Sequence, residues 1–124
     1  MHILESGQDY LERILMIKNK KGVVRSIDIA NELNFSKPSV SVAMKKLREE
    51  HLIEVDEKGY ITLTDEGYKI ASGILERHVI ISKMLISLGV NEKTALEDAC
   101  KIEHDLSEET FQAIKNHFLN KVIK

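Results

Sequence analysis

The sequence predicts a mainly α protein in two parts, a basic helical first half closed by a short β-hairpin and an acidic, all-helical second half. Three observations support this. One proline and six glycines punctuate 124 residues, so little interrupts a helical pattern. Two short alternating runs flank Gly59, as one hairpin requires. Charge is uneven: from Arg13 to Arg48 nine basic residues stand against Asp28 and Glu32, a local +7 in a chain of net charge −2, which leaves −9 elsewhere.

The elements follow in order. A first helix is predicted over Gln8–Lys20, with Leu11, Ile14, Leu15 and Ile17 as its apolar stripe and Gly22 beyond its end. Ser26 is predicted to cap a short helix through Leu33, with Ile27, Ile29, Ala30 and Leu33 facing inward. After Asn34-Phe35-Ser36, Ser36 is an N-cap and Pro38 is tolerated only in a first turn, so a third helix starts there and runs to about Glu50. Ile53–Asp56 and Tyr60–Leu63 form the hairpin. Thr64 caps a long helix over Asp65–Leu88, about 36 Å at 1.5 Å per residue, and Gly89 stops it. Asn91 opens a helix to about His104, and Ser107 opens the last, to about Phe118. The long helix divides the chain into domains at 1–70 and 71–124.

Helix, short helix, turn, helix and hairpin is the order of a winged helix-turn-helix. At 100° per residue, Val40, Ala43, Met44 and Leu47 share the inner side of the third helix. Pro38, Ser41, Val42, Lys45 and Glu49 lie opposite, flanked by Ser39 and Lys46. Hydroxyls, one branched methyl-bearing side chain and lysines suit a major groove: lysines meet phosphates or guanine edges, and Val42 can meet a thymine methyl. Ser36, Lys37, Pro38, Ser39, Ser41, Val42, Lys45, Lys46 and, at the hairpin tip, Lys58 are therefore the candidate contacts with double-stranded DNA. Asp56 and Glu57 beside that tip weigh against Lys58. Lys18, Lys20, Lys21 and Arg25 read as solvent-facing or phosphate-contacting. The alternative is a packed helical interaction module with a hairpin.

A hydrophobic content of 43% with 31% charged residues is that of a globular protein. No apolar run reaches the roughly 20 residues of a membrane span, and no secretory leader opens the chain. A cytoplasmic location is expected, with no membrane partner. One cysteine excludes an internal disulfide, so Cys100 is a buried thiol, a reactive thiol or a metal ligand.

Cys100, Glu103 and His104 stand at i, i+3 and i+4, which places thiol, carboxylate and imidazole on one helical face. Asp9 and Glu12 are likewise i, i+3 on the first helix, and His78 lies in the long helix. Carboxylates gathered without a counter-ion repel, and a dication would join them. Mixed O, N and S donors suit Mn²⁺, Fe²⁺, Co²⁺ or Zn²⁺ rather than Mg²⁺ or Ca²⁺. Simpler readings exist for each: a buried cysteine beside a surface pair, acids at a helix N-terminus, an ordinary helical histidine. His2, His51 and His117 have no partner at ligand spacing on their own elements, and Met16 reads as core. A metallohydrolase using Cys100, Glu103 and His104 is disfavoured, because no glycine-rich oxyanion loop accompanies them and no small organic substrate is expected.

With these residues in view, the chain resembles the DtxR/MntR family of metal-dependent bacterial transcriptional repressors over nearly its whole length. Asp9-Tyr10-Leu11-Glu12, Asp28-Ile29-Ala30, Ser39-Val40, Lys46-Leu47, Gly59, Leu63-Thr64, Gly67, Arg77-His78, Leu88-Gly89-Val90 and Ile102-Glu103-His104 carry the resemblance. It implies a homodimer that reads a pseudo-palindromic operator, with the residues after about Ala71 forming a metal-binding and dimerisation half. Asp9, Glu12, His78, Glu103 and His104 match ligands of the manganese-sensing branch, which carries Glu where this chain has Cys100. The iron-sensing branch carries Cys there but Met at Asp9, and its ancillary-site Glu and second His correspond to Ser82 and Leu96. The ligand set is a hybrid, pointing to Fe²⁺ or Mn²⁺, with Co²⁺ or Zn²⁺ binding in vitro. The chain is expected to be the short form, without the third, SH3-like domain of longer members. Ile80, Ile81, Met84, Leu85, Leu96, Phe111, Ile114 and Phe118 are apolar positions expected at the dimer interface.

Overall fold

The computed structural model describes the backbone of residues 5–123 and the side-chain surroundings of residues 6–120; His2 lies outside them. Two compact units emerge, Met1–Gly73 and Ile74–Lys124.

The first unit holds α1 (Glu5–Lys21), α2 (Ser26–Leu33), α3 (Lys37–Glu49), β1 (Ile53–Val55) and β2 (Ile61–Leu63). Its core joins Leu11, Ile14, Ile29 and Val40 of the predicted helical stripes to Val24, Leu52, Ile53 and Ile61, all essentially removed from solvent. Ile27 departs from prediction and is exposed, because α2 is short and only Ile29 and Ala30 are buried. Ser26 is also the first helical residue rather than the cap. Arg25 holds the N-cap position, and its N–H donates to the Asp28 carboxylate at 2.9 Å. Asn34 turns the chain in the left-handed region (φ 57°) between α2 and α3, and the Phe35 amide closes back on the Ala30 carbonyl.

Ser36 caps α3 as predicted: its hydroxyl accepts from the Ser39 amide at 3.3 Å. The strands pair antiparallel, Ile53 with Leu63 and Val55 with Ile61, and the Ile61 amide also donates to the Val24 carbonyl at 2.8 Å. Gly59 makes the turn at φ 84°. Helix α4 (Asp65–Ser87) starts on Thr64, whose hydroxyl accepts from the Gly67 amide and donates to the His51 carbonyl. Gly67 lies so close to the Leu52 carbonyl that a β-carbon there would overlap it.

In the second unit α4 closes as a Schellman motif, with the Gly89 amide on the Ile86 carbonyl and the Val90 amide on that of Leu85. Helix α5 (Glu92–Ile102) is capped by Asn91, which accepts from the Lys93 amide. Helix α6 (Glu108–Ile123) is capped by Ser107, which accepts from the Thr110 amide. The sequence predicts an α6 ending near Phe118, where the helix in fact runs to Ile123, and an α5 reaching His104. Instead α5 stops at Ile102, and Glu103, still α-like in its dihedrals (φ −57°, ψ −27°), is its C-cap. Ile81 and Phe111 are buried within this chain together with Ile74, Ala95 and Ala99, so they are core and not free interface positions. Leu96 and Leu88 are exposed. No helix among the described residues is long and apolar enough to cross a membrane.

Candidate metal centre and nucleic-acid interface

Helix α3 presents two chemically distinct sides. Val40, Met44 and Leu47 are buried, whereas Lys37, Pro38, Ser39, Ser41, Val42, Lys45, Lys46 and Glu49 are exposed, Val42 at 70%. Ala43 is intermediate. An exposed valine among lysines and a serine has no packing role in its own unit. Ser36 has a local one, since its hydroxyl also donates to the Ser39 hydroxyl at 2.8 Å. At the hairpin tip the Asp56 carboxylate accepts from the Lys58 and Tyr60 amides, both at 2.9 Å. That acid therefore shapes the turn, while the Lys58 side chain is exposed.

Arg25, expected from sequence to face solvent or phosphate, stacks over the Tyr60 ring at 4.4 Å. Lys21 pairs with Asp28 at 2.7 Å. The hydrogen bond from Lys21, with the Arg25 amide behind it, holds the Asp28 carboxyl below its ordinary range against the opposing effect of burial.

The proposed ligands in the second unit converge. His78 comes from α4, Cys100 from the last turn of α5, and Glu103 from its cap. One ligand atom from each lies within 4.8 Å of the other two. His78 Nδ1 is 2.9 Å from Glu103 Oε2, and His104 Nε2 is 3.5 Å from Glu103 Oε1. The Glu103 side chain is wholly buried and that of His104 nearly so, at 2% exposure. Cys100 is exposed, which removes the reading of it as a buried core thiol. In the first unit Asp9 and Glu12 share α1; Glu12 is buried and Asp9 half-buried.

The donor set fits a divalent transition cation. Glu103 Oε1 is buried with no hydrogen-bond partner, and leaving such an oxygen unpaired costs on the order of 1–3 kcal/mol or more for a charged group. Imidazole, thiol and carboxylate within ligand reach of one another are the donors such a cation takes. Ser82, where the iron-sensing branch has an ancillary Glu, is buried with its hydroxyl on the Val79 carbonyl at 3.1 Å, and Leu96 is exposed.

Sequence reasoning missed the part played by Arg77. Its Nη1 donates to the carbonyls of Glu103 (3.1 Å) and Leu106 (2.6 Å), and its Nη2 to Glu108 Oε2 (3.0 Å). The guanidinium sits 5.2 Å from the Phe111 ring centroid. Hydrogen bonds from Gln112 first and Arg77 second hold the Glu108 carboxyl below its usual range. The signal available beforehand was only that Arg77 precedes His78 on the same helix.

Comparison with known proteins matches both halves of the chain. Residues 2–61 match the iron dependent repressor N-terminal DNA binding domain. Residues 64–121 match the iron dependent repressor metal binding and dimerisation domain. An HTH-type transcriptional regulator of Methanocaldococcus jannaschii is 39% identical over 113 residues, 90% of each chain. The transcriptional regulator MntR of Escherichia coli is 38% identical over 114 residues, 92% of this chain and 74% of that one. Among solved structures, a manganese-dependent transcriptional repressor in complex with manganese superposes with a TM-score of 0.82 at 26% identity, over 90% of this chain and 52% of that chain. The manganese regulator SloR superposes at 0.79 with 29% identity, over 92% of this chain and 53% of that one. The chain thus spans about half the length of these solved relatives. Domains of DNA-binding regulators account for both halves, which removes the hydrolase alternative.

Proposed function

The chain belongs to the DtxR/MntR family of metal-dependent transcriptional regulators, and from that premise we propose that it is a cytoplasmic homodimeric repressor. It binds a pseudo-palindromic operator in double-stranded DNA when loaded with Fe²⁺ or Mn²⁺, and so controls metal-uptake genes. Residues 1–70 read DNA, and residues 71–124 bind metal and dimerise. The observation that carries the reading is the buried Glu103 carboxylate, held through one oxygen by His78, with its other oxygen lacking a hydrogen bond and Cys100 within ligand reach.

His78, Cys100, Glu103 and His104 would hold the cation, with Asp9 and Glu12 of α1 completing the set. The bound ion would supply positive charge that offsets the carboxylates and thiolate and lowers repulsion from phosphate. The recognition face is Ser36, Lys37, Pro38, Ser39, Ser41, Val42, Lys45 and Lys46, with Lys58 of the wing on the backbone. A dimer must hold two such faces about 34 Å apart to read successive half-sites. Metal-free dimers are a population with that spacing rarely correct, and loading shifts it.

Cys100 sets metal preference. A thiolate favours Fe²⁺, Co²⁺ or Zn²⁺, whereas Asp9 and Glu12 favour Mn²⁺ or Fe²⁺. Fe²⁺ satisfies both and ranks first, with Mn²⁺ next. Anaerobic titration with each metal, read as binding to DNA upstream of the chain's own coding sequence, tests this. Cys100→Glu moves the ranking toward Mn²⁺; an unchanged ranking overturns the thiol's role.

A further inference from the structure

We infer that Arg77 is the positioning residue of the metal centre, acting on the ligands through main-chain carbonyls; the inference rests on the metal-binding reading of His78, Cys100 and Glu103. Glu103 is the C-cap of α5: its amide still donates to the Ala99 carbonyl at 2.9 Å, but its own carbonyl lies beyond the helical ladder and needs another donor. Two carbonyls at this helix end, those of Glu103 and Leu106, accept from a single nitrogen of Arg77 at 3.1 and 2.6 Å. The neighbouring residue on α4, His78, holds the Glu103 carboxylate at 2.9 Å. Consecutive residues of one helix therefore grip the same glutamate at its main chain and at its side chain.

The arginine is itself held in place. Its guanidinium is largely buried and lies over the ring of the buried Phe111, and its second nitrogen reaches Glu108. A planar fork with fixed donor directions serves these acceptors together. A lysine ammonium keeps the charge but not the fork. Groups that orient metal ligands without touching the metal typically account for 10–100-fold in affinity.

The test uses the full chain. Co²⁺ is titrated anaerobically while the thiolate-to-cobalt charge-transfer absorption is followed, and circular dichroism of the metal-free protein reports folding. The wild type binds Co²⁺ and develops the band. Arg77→Lys keeps its metal-free helix content, binds Co²⁺ roughly 10–100-fold more weakly and shows an altered band. Glu108→Gln removes only the exposed arm and stays within about fivefold of wild type, the scale of a surface ion pair. Wild-type affinity and spectrum in Arg77→Lys overturn the inference. So does loss of its metal-free helix content, which assigns Arg77 to folding, or an equally large loss in Glu108→Gln, which assigns the effect to the charge pair. A wild type that binds no Co²⁺ refutes the metal reading and this inference with it.

Discussion

Helix α3 shows its working residues on the outside of a regular helix, whereas the ligand cluster of the second unit straddles the last turn of α5 and the bend after it. On α3 the chemistry is solvated and the packing lies on the opposite side: Met44 is buried where Val42 is exposed. In the cluster the same groups do both jobs, since Glu103 is a proposed ligand and also a wholly buried side chain. A surface of the first kind can change its target without touching the fold. A site of the second kind ties affinity to the local backbone, and it needs a residue such as Arg77 that contacts that backbone.

Substitutions on α3 separate the two sides most sharply. Met44→Ala removes a buried side chain and costs about 2–5 kcal/mol of stability, measured by urea unfolding of the metal-free protein. Val42→Ala, two residues away, changes stability by less than about 0.5 kcal/mol but weakens DNA binding by roughly fourfold, the scale of one methyl-sized group lost from an apolar contact. Equal stability losses in the two variants would dissolve the contrast. A smaller effect is expected in acid. The Asp28 carboxyl titrates below its ordinary value in the folded chain, so its contribution is present above the normal carboxylate range and is lost as pH falls through the folded value. Asp28→Asn therefore flattens the fall in stability below about pH 4, and it leaves the neutral-pH metal response unchanged. An acid limb identical to that of the wild type would remove Asp28 from the account.

The legibility of the sequence follows the same division. Val40, Met44 and Leu47 could be placed from a 3.6-residue period alone, because one face is buried and the other wet. Ser36, Thr64, Asn91 and Ser107 were readable as caps because their oxygens serve amides two or three residues on. Ser26 misled because Asp28 supplies the cap from inside the helix, and a serine one position late looks the same in sequence. The ligands Cys100, Glu103 and His104 were visible as a spacing. The end of α5 at Ile102 was not, since no glycine or proline marks it and the chain turns on contacts made by Arg77 from another helix. Ile81 and Phe111 looked like interface because apolarity alone does not separate a core from a contact surface.

The Glu103 cluster, on the proposed reading, converts metal loading into DNA affinity. The most direct test of that conversion compares wild type and Glu103→Ala for affinity to the same upstream DNA fragment at fixed salt, with and without Fe²⁺ or Mn²⁺. The wild type gains at least 10-fold in affinity on metal loading, or about 1.4 kcal/mol, and the variant gains none. An equal metal response in both proteins would contradict it.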